Sequence, residues 1–192
     1  MNKLKIIEFP KKHPLFFSVS FTSFKTGLAD YLVQTYIEKE DEFDWKRNLA
    51  FWVFGAWFLG AAQYGVYVKV FGSMFPRAEK FAAKPFRDKL KDFNGQRDVL
   101  KQVSLDMLIW EPFFYFPFFY QTKIQIQGGT ANDALNAYQR NFTTDMPALW
   151  KAGVPAYLIN FAFMPFHYRV PFVGVYSLLW TSYISYTRGK EM

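Results

Sequence analysis

The chain of 192 residues has no cysteine, an aromatic content of 22% and a net charge of +7. The lack of cysteine excludes disulfides and thiolate sites. The positive charge is interspersed with acids and accompanies no nucleic-acid-binding motif, so it predicts contact with anionic lipid and not with nucleic acid. The length suits a single domain, residues 1–192.

Four apolar stretches, rich in aromatic residues, predict the fold. They cover residues 15–37, 48–75, 103–120 and 152–187. A helix needs about 20 mainly apolar residues to cross the hydrocarbon layer, and residues 49–68 contain no charge that would give water a polar face. We therefore predict an all-α integral membrane protein. It should be a bundle of four main transmembrane helices, kinked at prolines, with short amphipathic surface helices in the connectors.

The first two stretches have the features of membrane helices that pack on one another. Asp30 and Gln34 lie four residues apart, so they share one helical face that should meet protein or water. The second stretch contains two pairs of small residues, each with a spacing of four, which let helices approach closely. These small residues are Ala56, Gly60, Ala61 and Gly65.

The connectors predict surface helices. An interrupted apolar stripe in residues 77–101 contains Phe81, Phe86, Leu90 and Phe93. This stripe suits a helix on the membrane surface and, equally, an amphipathic helix packed on protein. In the connector 121–149, Thr130 followed by Asp133 predicts the start of a short helix over residues 131–141.

The third and fourth stretches contain ionisable residues at membrane depth. Asp106 and Glu111 are five residues apart, so they should not share a face of an α-helix. The fourth stretch is too long for one straight span and is interrupted by Pro165. It should form either one kinked helix or two segments divided near residue 165.

Polar side chains inside these stretches have two interpretations, a polar path through the bundle or interhelical ion pairs, and we favour the ion pairs. The residues concerned are Asp30, Gln34, Asp106, Glu111, Asn160 and Arg169. Arg169 is expected to pair with a carboxylate, because a guanidinium can bind both carboxylate oxygens. His13 and His167 lie far apart in a chain without cysteine. We therefore predict no metal site, no catalytic site and no cofactor-binding site.

Net charge alternates between the connectors. It is +3 in residues 1–14 and +4 in residues 76–101, but −2 in residues 38–47. Four spans explain this alternation through the positive-inside rule, which predicts both termini on the positive-inside face. Basic residues near the headgroups are expected to bind phospholipid such as cardiolipin. The candidates are Lys11, Lys12, Lys46, Arg47, Arg77 and Lys80.

Several landmarks occur in an order and spacing found in one known family. In the C-terminal part they are Trp150, Asn160, Phe161, Pro165, Arg169 and the segment WTSYIS at residues 180–185. Earlier landmarks include Asp30, Gln34, Gly60, Tyr67, Asp106 and Pro112. In these residues the chain resembles the Mpv17/PMP22 family of small organelle membrane proteins over nearly its whole length. The resemblance implies a four-helix protein of the mitochondrial inner membrane or, alternatively, of the peroxisomal membrane, and pore formation has been proposed for members.

This sequence departs from the family pattern at several polar positions. Tyr157 stands where the family usually has glutamine, and Met107 follows Asp106 where the family has Asp-Gln. The loss of polar groups argues against transport. We therefore predict a non-enzymatic accessory subunit of a larger assembly of the respiratory-chain type, bound to lipid and to other membrane subunits. The alternative is a pore or solute-permeation protein.

Overall fold

The computed structural model describes residue 9 and residues 12–39 and 41–189, and their regular secondary structure is helical throughout. An all-α fold is thereby confirmed for this part of the chain. Helix α1 covers Pro14–Leu32 and continues as a π-helical segment, Val33–Glu38. Helix α2 runs over Trp45–Met74 and contains the π-helical segments Gly55–Ala62 and Gly65–Val70.

Five further helices follow. The short helices α3 and α4 cover Ala78–Ala83 and Phe86–Lys91. Helix α5 comprises Phe93–Leu105, the π-helical segment Asp106–Tyr115 and Phe116–Ile126. Helices α6 and α7 cover Ala131–Phe163 and Phe166–Arg188. Among the described helices, α2 is the one that is both long and apolar enough to cross a membrane by length and composition, so the number of four spans stays a prediction.

A capping box and one proline, Pro165, explain the boundaries of α6. Hydrogen bonds between Thr130 and Asp133 begin the helix and lower the pKa of the Asp133 carboxyl. The helix does not end near residue 141 as expected but continues through Pro147 and Pro155. It ends where Met164 adopts an extended conformation, because the following Pro165 disfavours a helical conformation at that residue. The last apolar stretch is therefore divided into two helices.

Contacts between helices show that α1 and α7 run in the same direction. Phe21 contacts Gly174, Lys25 bonds to Ser177 and Thr181, and Asp30 bonds to Ser185. The start of α1 and the start of α7 therefore share one end of the bundle. We call it the basic end, since the connector 76–101 also lies there; the opposite end, with the connector 38–47, is the acidic end.

This direction differs from the predicted topology. The prediction placed both termini on one face, because it counted four crossings. The break at Pro165 adds a helix, so that Pro14 lies at the basic end and Arg188 at the acidic end. These helix directions argue against both termini on one face, but the termini lie outside the described residues and their placement stays a prediction.

Two apolar clusters fill the bundle, one towards each end. The cluster at the acidic end includes Phe54, Phe119 and Trp180. The cluster at the basic end includes Phe71 and Phe161. Large apolar side chains also cover the outside, with exposed fractions of 64% for Phe16 and 68% for Phe113. An apolar exterior around a partly polar interior is the arrangement expected in lipid.

Helix α1 packs closely on α2 at two glycines, Gly55 and Gly60. The carbonyl oxygens of Gly55 and Gly60 accept hydrogen bonds from Thr22 and Ser18, at 2.7 and 2.8 Å. An added Cβ on Gly60 would lie 2.5 Å from the Cα of Val19. The π-helical hydrogen bonds connect residues five apart and so place the two glycines on successive turns.

The predicted pairs of small residues were therefore only partly right. They assumed a spacing of four, whereas the π-helical segment uses five. Gly60 packs as expected, but its partner is Gly55 and not Ala56. Ala61 is exposed, and a Cβ on Gly65 would meet nothing within 4 Å.

Replacing Gly60 by alanine should destabilise the protein by about 1–3 kcal/mol, because the new methyl group forces the backbones of α1 and α2 apart. Thermal unfolding in detergent micelles, followed by circular dichroism, measures this effect. Gly65→Ala makes the same chemical change where there is open space and serves as the matched control. Equal stability of the two variants would contradict the close packing at Gly60.

Tags at the two termini should lie on opposite sides of the membrane, because α1 and α7 run in the same direction. In sealed vesicles, external protease should then remove one tag and spare the other. A fusion at residue 43 in the α1–α2 connector should behave like the C-terminal tag. Protection of both terminal tags together would show that one of the long helices does not cross.

Candidate functional site

Helix α5 brings two acids into the centre of the bundle. Asp106 and Glu111 belong to the π-helical segment, in which residues five apart lie on successive turns. Both side chains are buried, with exposed fractions of 0% and 2%. The prediction that these residues do not share a face was wrong, because it assumed α-helical geometry.

Tyrosine hydroxyls contact both acids. Tyr67 donates to Asp106 Oδ1 at 2.7 Å and accepts from the Gln63 amide at 2.9 Å. Tyr157 donates to Glu111 Oε1 at 3.3 Å. The rings of Tyr67 and Tyr157 meet edge to face, with centroids 6.1 Å apart. Side chains from α2, α5 and α6 therefore converge on one polar region.

The second oxygen of each carboxylate has no hydrogen-bond partner. Asp106 Oδ2 and Glu111 Oε2 are buried without one, as are the Tyr176 hydroxyl and both polar side-chain atoms of Asn160, within the part of the chain that the structure describes. Glu111 and Tyr176 line a cavity of about 20 Å³. A cavity of this size can hold one water molecule.

Helix α1 contributes a buried cation on the other side of this cavity. Lys25 donates to the hydroxyls of Ser177 and Thr181, each at 2.9 Å. Both hydroxyls belong to the lining of the cavity, together with Gln63 and Glu111. We call this group the polar chamber: Lys25, Gln63, Tyr67, Asp106, Glu111, Tyr157, Tyr176, Ser177 and Thr181. It lies between the two apolar clusters and combines two acids with one ammonium group.

A second polar cluster closes the acidic end. Asp30 Oδ1 accepts from Arg47 Nε and from the Ser185 hydroxyl, both at 2.8 Å. Asp30 Oδ2 accepts from Gln34 at 2.8 Å and from Asn48 at 3.0 Å. Both carboxylate oxygens of Asp30 therefore have two donors each, and the cluster ties α1, α2 and α7 together.

Arg47 is the cation of this cluster. Its guanidinium contacts Asp30, bonds to Glu38 at 2.7 Å and reaches Ser185, while the side chain is only 2% exposed. The expectation that Arg47 binds lipid headgroups is therefore wrong in this structure. The reason is helix α7, which covers Arg47, whereas the preceding Lys46 points outwards and is exposed.

Arg169 lies near the basic end and is completely buried. It donates to the side-chain oxygen of Gln102 at 2.9 Å and to the carbonyl oxygens of Phe161 and Met164 at 3.4 and 3.3 Å. Its guanidinium also lies 4.5 Å from the ring centre of Phe166. The expected carboxylate partner is not found among the described residues, because an amide and the main chain take its place.

The remaining headgroup candidates lie on the surface where they are described. Lys12, Lys46, Arg77 and Lys80 are exposed, whereas Lys11 lies outside the described residues. Arg77 bonds to Asp98 at 3.0 Å. Lipid binding by these residues stays a prediction.

Sequence reasoning missed several residues of the chamber, above all Lys25, Tyr67 and Tyr157. The signal for Lys25 was present, because a lysine inside an apolar stretch normally faces the bundle interior. The tyrosines could not be recognised from the sequence, because their hydroxyls meet the two acids only when the π-helical segment turns both acids into the bundle. No group of three metal-ligating side chains occurs among the described residues.

Comparisons with known proteins give one consistent result. A family model described as Mpv17 / PMP22 family matches residues 125–185. Protein SYM1 of Debaryomyces hansenii is 25% identical over 179 residues, which cover 91% of this chain and 82% of that protein. Mitochondrial inner membrane protein Mpv17 of Danio rerio is 24% identical over 181 residues, which cover 93% and 92%. No solved structure matches.

Replacing Arg47 by leucine should destabilise the protein by about 3–5 kcal/mol, because Asp30 and Glu38 would remain as buried charges without a cation. Arg77→Leu removes an equally large cation from an ion pair whose arginine side chain is 62% exposed, and it should cost about 0–1 kcal/mol. Thermal unfolding of both variants in the same detergent compares them. Similar losses in the two variants would argue against a structural role of the acidic-end cluster.

Proposed function

The chain belongs to the Mpv17/PMP22 family and lies in the mitochondrial inner membrane, and on this basis we propose that it is a solute-permeation protein. The path for the solute would pass through the polar chamber. No enzymatic activity is indicated by the family or by the described residues.

One observation carries this proposal: two acids are buried at the centre of a membrane protein with one oxygen of each left without a partner. Such groups are costly in an apolar interior, so they normally face a water-filled cavity or a polar path. If the acids served only to hold helices together, we would expect the saturated bonding seen at Asp30. The chamber has the opposite character, which supports a role in which water or solute occupies it.

The positions at which this chain departs from the family pattern are weaker evidence against permeation than the sequence suggested. Tyr157 stands where the family usually has glutamine, yet its hydroxyl reaches Glu111. Tyr67, a residue that matches the family pattern, brings a hydroxyl to Asp106. At position 157 a tyrosine thus keeps the lining polar, and this weakens the argument that favoured an accessory subunit.

A cavity of about 20 Å³ is too small for a solute larger than water. The described arrangement therefore corresponds to a closed state. Arg47 and Asp30 close one end and Arg169 with Gln102 the other, so permeation requires the helices to part at both ends.

An accessory subunit of a larger assembly is the second candidate. An apolar groove of about 360 Å³ runs between α6 and α7 and includes Ala148, Ala152 and Leu179. Leu179 is 77% exposed, and the small alanines would let a helix of a neighbouring subunit approach closely. This groove favours the second candidate, although lipid chains can fill it equally well.

Flux through proteoliposomes tests the permeation proposal. Vesicles with the wild-type chain should release small solutes faster than protein-free vesicles. Glu111→Leu should reduce the flux roughly tenfold, because water in the chamber loses a hydrogen-bonding partner worth about 1–3 kcal/mol. Glu111→Gln keeps the chamber polar and should retain most of the flux.

Glu42→Leu is the matched control, since it removes an exposed carboxylate from the α1–α2 connector and should leave the flux unchanged. Native gels of mitochondrial membranes test the second candidate. The pore would be rejected, and the accessory subunit supported, if the protein adds no permeability to vesicles and co-migrates stoichiometrically with a respiratory complex.

A further inference from the structure

The connector at the basic end forms a fixed corner on the bundle. Helix α3 packs inwards through the buried Ala78, Phe81 and Ala82. Lys89 then fixes α4, because its ammonium donates to the carbonyl oxygen of Ala82 at 2.8 Å and to that of Lys84. The same ammonium lies 4.9 Å from the ring centre of Phe163, at the end of α6. The orientation of α4 relative to the bundle is therefore determined by these contacts.

This orientation turns three apolar side chains outwards. Phe86, Leu90 and Phe93 have exposed fractions of 62%, 62% and 75%. Phe86 and Leu90 are four residues apart and share one face of α4, whereas Phe93 begins α5 after the helix break at Asp92. Burying these side chains would be favourable, but the described chain leaves most of their surface uncovered, although Phe86 stacks on Phe163 with ring centroids 6.4 Å apart. We call this surface the apolar edge.

Basic residues accompany the apolar edge. Arg87 and Lys91 are exposed within α4 itself. Two of the four acids in the connector form ion pairs, since Asp92 accepts from Lys84 at 2.6 Å and Asp98 from Arg77. Asp88 is an exposed acid within α4, so the surplus of positive charge rests on the eight basic residues of the connector. The bond from Lys84 lowers the pKa of the Asp92 carboxyl, so that this ion pair persists at neutral pH. The connector 76–101 keeps a net charge of +4.

The corner lies at the ends of three helices of the bundle. It lies where α2 ends at Met74, α5 begins at Phe93 and α6 ends at Phe163. Ends of membrane helices lie at the level of the headgroups, where an apolar layer and a layer of phosphates meet. A surface that carries exposed Phe and Leu next to Arg and Lys matches both layers at once.

We propose that α4 and its apolar edge are embedded in the headgroup layer of the leaflet at the basic end and bind anionic phospholipid there. Arg87 and Lys91 contact phosphate groups, and Phe86, Leu90 and Phe93 enter the upper part of the acyl chains. A protein partner fits less well, because lysine is depleted from the cores of protein interfaces. The proposal is independent of whether the chamber conducts a solute.

The chain has no cysteine, so a single Leu90→Cys substitution gives a unique site for a spin label. In nanodiscs that contain anionic phospholipid, the label should be shielded from a water-soluble relaxation agent and reached by a relaxation agent dissolved in the acyl chains. A label at Asn132→Cys, in the α5–α6 region at the opposite end, should remain accessible to the water-soluble relaxation agent. In nanodiscs of neutral lipid, the label at position 90 should become markedly more accessible to water.

Charge reversal separates lipid binding from simple burial. Adding Arg87→Glu and Lys91→Glu to the Leu90→Cys variant should weaken the attachment by more than about 30-fold, since each lost basic residue near an anionic surface contributes about fivefold and each new carboxylate adds repulsion. Lys46→Glu with Arg140→Glu makes the same charge change at the acidic end and should have no effect on the label.

Three results would overturn the proposal. The label at position 90 could stay exposed to water in every nanodisc, which would mean that α4 does not enter the lipid. Equal shielding in neutral and anionic nanodiscs would show that the contact with lipid is apolar and does not involve anionic headgroups. Shielding in mitochondrial membranes alone, and not in nanodiscs, would identify a protein as the partner.

Discussion

Hydrogen bonds between residues five apart set the register on which both the packing and the site depend. In α2 they align Gly55 with Gly60, and the backbone of α1 can therefore approach. In α5 they align Asp106 with Glu111, so that both carboxylates enter the interior. Pro112 lies inside this second segment and has no N–H to donate, which fits a locally altered helix. With α-helical spacing, one member of each pair would point away.

The buried polar groups fall into two kinds, and the difference between them carries the functional interpretation. Each carboxylate oxygen of Asp30 accepts two hydrogen bonds, and the guanidinium of Arg47 contacts two carboxylates. Such a cluster fixes three helices and leaves little to bind anything else. Glu111 and Asp106 each retain an oxygen without a hydrogen-bond partner, and Glu111 lines a cavity. Groups of this second kind are costly for stability alone, which points to a role beyond holding the fold.

Composition and hydrophobic pattern were sufficient to predict an all-α membrane protein, and the polar face with Asp30 and Gln34 followed from simple helical spacing. The π-helical segments were not predictable, because nothing in the local pattern distinguishes a five-residue from a four-residue repeat. The errors at Gly55 with Gly60 and at Asp106 with Glu111 came from this source, whereas the pairing of Arg169 with an amide and the main chain did not. The fate of Arg47 had a different cause, since its burial depends on α7, a helix more than a hundred residues away in the sequence.

Helix α7 connects all the polar layers, and this has a consequence for how the chamber could open. Arg169 meets Gln102 at the basic end, Ser177 meets Lys25 in the chamber, and Ser185 meets the cluster at the acidic end. A movement of α7 therefore disturbs all three layers together. At the acidic end, α7 contributes Ser185 to the cluster of Asp30 and Arg47, and its Arg188 forms an ion pair with the buried Asp145 of α6 at 2.8 Å, so breaking these contacts would leave a buried charge without a partner. The basic end holds α7 by an amide and carbonyl oxygens, next to the helix break at Pro165. The least costly first step of opening is therefore a swing of the basic end of α7, and the acidic end must part afterwards for a solute to pass.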